Sequence, residues 1–176
     1  IVALLSVFAI REVVEALLGL EWDKNERGPK GDRVEEKHTT PNALRRSALL
    51  SMAEEMGQEL SAARGQPLRR SLGIPRSPDY YWKNPEFSEP HRRGELLVAA
   101  ALNAFVNVWS DRLREVRRDN TRSLDRRRVS EEGSLVAKRL LTAAIRAIDF
   151  CPPVHMEFGD FLSALLTGDC EVTPDD

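Results

Sequence analysis

The chain has 176 residues, with 26 Lys+Arg against 28 Asp+Glu for a formal net charge of −2, and a 41% hydrophobic, 31% charged and 6% aromatic composition. That length suits one domain able to bury about two thirds of its unfolded surface. The apolar content excludes a disordered chain, the 10 Gly and 10 Pro without a repeat exclude a fibrous one, and the charge balance excludes a globally basic nucleic-acid binder.

Ile1 to Leu20 is mostly aliphatic, but Arg11, Glu12 and Glu15 interrupt it and leave about ten uncharged residues, too few for a bilayer core of ~30 Å. No basic stretch precedes the apolar run as in a signal peptide. The segment is expected to be one helix buried on most sides, with the three charges on its wet face and Gly19 as its stop. A chain that opens at Ile1, inside an apolar helix, reads as a piece of something longer. Cys151 and Cys170 lie outside any C-x-x-C spacing, so the pair supports neither a zinc ribbon nor a redox dithiol. Small buried thiols in a cytoplasmic, reducing compartment fit this usage.

Glu21 to His38 reads as a long charged surface loop broken by Gly28, Pro29 and Gly31. Thr40-Pro41 then gives an N-cap followed by proline at the first helical position. Leu44, Ala48, Met52, Met56 and Leu60 step by four residues, which predicts an amphipathic helix to about Gly65 with the methionines as core filler. Pro67, Pro75, Pro78, Pro85 and Pro90 forbid a long helix through the next segment. Tyr80, Tyr81, Trp82 and Phe87 sit among them, so an irregular but ordered loop is expected, either a lid over the core or a wall of a binding cleft.

Arg92 to Arg118 is the strongest helix, with an Ala-rich first half expected at the centre of the fold and a charged second half emerging into solvent. Ser130, Glu131 and Glu132 read as the start of a further helix that ends at about Phe150, before Pro152-Pro153. A last short helix, about Glu157 to Thr167, closes at Gly168. No alternating β-branched run is present. The expected fold is all-α, a single domain over residues 1–176 of five or six helices packed around the helix at about 92–118, with the Pro-rich loop beside them.

The arginines between Asp111 and Arg128 suggest nucleic acid at first sight, but Asp111, Glu115, Asp119 and Asp125 interleave with them and no aromatic residues alternate for base stacking. A solvated helix end is the expectation. Ala147 to Asp176 holds seven acids and no Lys or Arg, so a −7 tail sits on a +5 body. Asp149, Glu157 and Asp160 flank His155, in a spacing that matches no helical pair of metal ligands. His91 heads the central helix, where free N–H groups favour an anion or a neutral imidazole, and Glu89 and Glu86 are near enough in sequence to orient its ring. A structural role at the helix N-terminus is the simpler reading of His91 from the residues alone. No nucleophile–base pair, Gly-rich phosphate loop or H-E-x-x-H is present.

Two stretches carry a resemblance, "EPHRRGELLVAAALNAF" from Glu89 to Phe105 and "AIRAIDFCPPVHMEFGDFLSALLTGDCEVTPDD" from Ala144 to Asp176. They resemble the C-terminal helical region of a bacterial gluzincin, a thermolysin-like zinc metallopeptidase family. The matching residues are Glu89, Pro90, His91 and Gly94 in the first, and Asp149, Phe150, Cys151, Pro152, Pro153, Phe158, Gly159, Asp160 and the Pro174-Asp175-Asp176 end in the second. "IVALLSVF", Ile1 to Phe8, is similar to the helix after that family's glutamate zinc ligand, while residues 20–85 match only in general character. The resemblance implies that His91 donates a hydrogen bond to the tetrahedral oxyanion, and Glu89, next but one in sequence, is the candidate orienter of its ring. It also implies zinc in a parent protein, held by an H-E-x-x-H helix and a glutamate that lie before Ile1, with the glutamate within roughly two helical turns. This chain would then carry no metal ligand. Its expected partners are the missing N-terminal catalytic part and a peptide or protein substrate, with no membrane and no nucleic acid. The alternative is a non-catalytic helical interaction module.

Overall fold

The structure, a computed structural model, describes residues 1–18, 31–47, 77–117 and 122–172. The fold is all-α, with seven α-helices among the described residues and one two-stranded ribbon.

The opening segment folds as two helices, α1 (Val2–Phe8) and α2 (Arg11–Leu18), rather than one. The Ile10 N–H turns back to the Val7 carbonyl at 3.1 Å, and the Val14 N–H restarts the ladder on the Ile10 carbonyl at 3.2 Å. Each piece is amphipathic rather than buried on most sides: Leu4, Leu5, Phe8, Val14 and Leu18 point inward while Val2 and Ile10 stay exposed. Arg11 pairs with Glu12 and Glu15 on the outer surface.

Residues 33–35, expected in a loop, form strand β1 (Arg33–Glu35), which pairs antiparallel with β2 (Ser123–Asp125) in the register Val34↔Leu124. Val34 and Leu124 are buried and their neighbours are not, the period of two that a half-buried ribbon requires. A 3-10 turn (Glu36–His38) leads to α3 (Pro41–Arg45), where the Thr40 hydroxyl accepts the Ala43 N–H at 3.3 Å as the sequence predicts. Helix α3 ends at Arg45, short of the helix to Gly65 that the spacing predicts; Ala48, Met52, Met56, Leu60 and Gly65 lie outside the described residues, as do Gly19, Pro67 and Pro75.

The Pro-rich segment is helical where it is described, in α4 (Pro78–Lys83) and a 3-10 turn (Pro85–Ser88). Its prolines break one long helix and start several short ones, because the first position needs no N–H and favours proline's φ. Pro90 does the same for α5 (Pro90–Val116). Burial along α5 centres on its second half rather than its first: Ala99, Leu102, Val106, Trp109 and Leu113, three or four apart, face inward. The charged residues of that half occupy its other side, so the helix keeps one face in the core to its end. Phe105 stacks on Phe8, centroids 5.5 Å apart, and meets the Trp109 ring at a tilt, 5.5 Å away.

Helix α6 (Arg126–Phe150) begins four residues before Ser130, because Asp125 caps it through the Arg127 N–H at 2.8 Å. Ser130 is fully buried inside the helix, its hydroxyl on the Arg127 carbonyl at 2.8 Å. Helices α1, α2 and α5 pack on α6. So does α7 (Phe158–Val172), which runs through Gly168 instead of stopping there. A Cβ on Gly168 would lie 3.2 Å from the Ala143 carbonyl oxygen and 3.2 Å from Arg146 Cβ, so glycine serves close helix approach. Among the described residues no helix is long and apolar enough to cross a membrane.

Candidate functional site

His91 is the second residue of α5; its side chain lies outside the described part of the structure. Glu89 precedes the helix as its N-cap, with Oε2 accepting the Arg92 N–H at 2.8 Å. The positive end of a 27-residue helix is thus met by a carboxylate of the chain itself. Arg92, 16% exposed, donates through one terminal nitrogen to both oxygens of Glu95 at 3.0 Å and lies 3.9 Å from Glu86. Arg93 reaches back to the Ser88 carbonyl at 3.2 Å. Of the two glutamates that the sequence offers as orienters, Glu89 holds the helix start and Glu86 faces Arg92.

The elements before the helix head are fixed by aromatic contact. Phe87 is buried, with Tyr81 edge-on at 5.3 Å and Tyr80 at 6.0 Å, and the Asn84 side chain caps the 3-10 turn through the Glu86 N–H at 3.2 Å. Trp82 is left 91% exposed. A shallow depression of about 370 Å³ opens between Asp79, Tyr80, Lys83, Asn84 and Pro85. Of the four aromatics only Phe87 is buried, so the segment does not pack over the core as a lid would.

Three polar arrangements are not apparent from the sequence. Glu132, read there as a first-turn acid, is buried with its side chain 2% exposed, held by Arg128 at 2.7 Å and Arg112 at 3.3 Å. Arg45 spans α3 and α5, donating to Asn103 and Asn107 at 2.9 Å each and to Asn42 at 3.1 Å. Arg117 reaches the Thr39 hydroxyl at 2.8 Å and Glu36 at 3.6 Å, while the Ser110 hydroxyl donates to the Thr39 carbonyl at 2.8 Å. A capping-type spacing foreshadows Glu132 only by its type; nothing local foreshadows the other two.

Elsewhere in the arginine stretch Arg114 pairs with Asp111 at 3.0 Å and Arg127 with Glu131 at 3.2 Å. His155 takes a left-handed backbone, φ 55°, in the connection before α7, and the Asp160 carboxylate accepts the Glu157 N–H at 2.8 Å. Among the described residues no group of three His, Cys, Asp or Glu side chains could hold a metal ion. Cys151 is half-buried and Cys170 exposed, both as free thiols, so neither is the buried filler expected of them. Comparison with protein-family models, curated proteins and solved structures finds no match to this chain.

Proposed function

We propose that the chain is the C-terminal helical lobe of a zinc metallopeptidase-like protein and forms one wall of its active-site cleft. The observation that carries the proposal is the position of Glu89-Pro90-His91: the motif that matches the gluzincin pattern falls on the capped first turn of a 27-residue helix. In this reading His91 donates a hydrogen bond to the oxyanion formed during peptide-bond hydrolysis, and Glu89 fixes the helix start from which it does so. The exposed ring of Trp82 and the face of Tyr80 supply apolar wall for a peptide or protein substrate. Zinc, held by residues outside this chain, supplies the activated water of such enzymes. In this reading the chain alone, without the residues that hold zinc, hydrolyses nothing.

The test is made in the longer protein carrying the H-E-x-x-H part. There His91→Ala lowers kcat by about 10²- to 10³-fold, the cost of removing one oxyanion donor, with zinc content unchanged. An undiminished kcat, or a coding sequence upstream of Ile1 with neither H-E-x-x-H nor a glutamate ligand, overturns the reading. A second reading, a helical interaction module without chemistry of its own, is favoured by the apolar surface left open on the α6–α7 hairpin.

A further inference from the structure

We propose that the hairpin of α6 and α7 is a docking surface for a cationic amphipathic helix of another protein. The inference does not depend on whether the parent protein is a peptidase. Between Ile148 and Leu166 the side chains of Ile148, Val154, Met156, Phe158, Leu162 and Leu166 are each 49–66% exposed. Phe158, Leu162 and Leu166, four apart, form one stripe along α7, while Ala164 and Gly168 face α6. Single exposed apolar residues such as Val2 or Val108 are ordinary, but several gathered on one hairpin are the mark of an interaction surface.

Charge decides what covers it. The only charged residues from Ala147 to Leu166 are Asp149, Glu157 and Asp160, all exposed, and no cation pairs with any of them among the described residues. Lys and Arg are absent from the whole stretch. An apolar stripe beside three exposed carboxylates favours a helix that carries apolar residues at three- and four-residue spacing flanked by Lys or Arg. The same carboxylates are repelled by the anionic surface of a membrane. In a second copy of this chain, Arg112, Arg114, Arg127 and Arg128 are held by Glu132, Asp111 and Glu131 and would have to leave these partners to meet the hairpin.

The experiment titrates the full chain into a fluorescent helical peptide of roughly 18 residues built from Leu and Lys at amphipathic spacing, and into its Leu/Glu twin. Binding of the Lys peptide, at least tenfold tighter than its twin, is expected. Leu162→Glu with Leu166→Glu, both at exposed positions, should abolish it without changing the circular dichroism spectrum. Asp149→Lys with Glu157→Lys should reverse the preference between the two peptides. Equal binding of both peptides overturns the proposal, as does binding indifferent to Leu162→Glu. A dimer seen by sedimentation and lost in Leu162→Glu would make a second copy the occupant. Retention on phosphatidylserine vesicles would make it a lipid surface.

Discussion

Trp109 shows how a single side chain is held from several directions. Its ring lies against Phe105, its indole N–H donates to the Val129 carbonyl at 3.0 Å, and its face rests on Gly133 of α6. Glycine inside a helix costs about 1 kcal/mol relative to alanine, so propensity alone would favour Gly133→Ala. A Cβ there would sit 2.6 and 2.7 Å from two carbons of the fully buried ring, which has nowhere to move. Gly133→Ala is therefore expected to destabilise by about 1–3 kcal/mol, read as a lower urea midpoint at unchanged slope; an equal or higher midpoint refutes the contact. Glu35 gives a pH effect of the opposite kind, small and at the surface. The hydrogen bond and charge of Lys37, 2.9 Å away, hold its carboxyl below the ordinary glutamate value. The folded pKa is the lower one, so the stabilisation is full above the ordinary value and is lost as pH falls through the depressed one. NMR titration should find Glu35 ionising below an ordinary glutamate, with molar salt moving it back up.

At the level of elements, local chemistry set the starts and stops that depend on a few neighbouring residues. Thr40-Pro41 opens α3, and α6 ends at Phe150 before Pro152 as the prolines dictate. Other boundaries went elsewhere for reasons visible only in the folded chain. Asp125 outcompetes Ser130 as cap because β2 ends there and leaves its carboxylate over the Arg127 N–H. Gly168 looks like a terminator, yet α7 continues because the neighbouring helix backbone occupies the space a side chain would need. Gly168→Leu should force α7 away from α6 at a cost of about 1–3 kcal/mol. Hydrogen exchange should then quicken in α7 and leave α5 unchanged, whereas uniform quickening would show that α7 does not open separately.

Over the whole molecule, contacts between distant parts of the chain close the core. Phe8 stacks on Phe105, Arg33 donates to Ser123 at 3.1 Å, and Arg45 clamps Asn103 and Asn107. Phe8 is fully buried, and Phe8→Ala should cost about 3–5 kcal/mol, seen as a single lowered thermal transition. Loss of α1 signals at a temperature where α5 persists would instead show two independent units. The amino-acid pattern by itself determined the all-α class, the long helix that starts near His91, and the acidic stretch at the end. These follow from periodicity, proline chemistry and charge within a few residues. Only the tertiary structure decided the break between α1 and α2, the ribbon of β1 with β2, the burial of Glu132 between two arginines, and the open apolar stripe on α7. Each of these depends on which surfaces meet across the fold, and side-chain spacing along the chain carries no information about the partner on the other side.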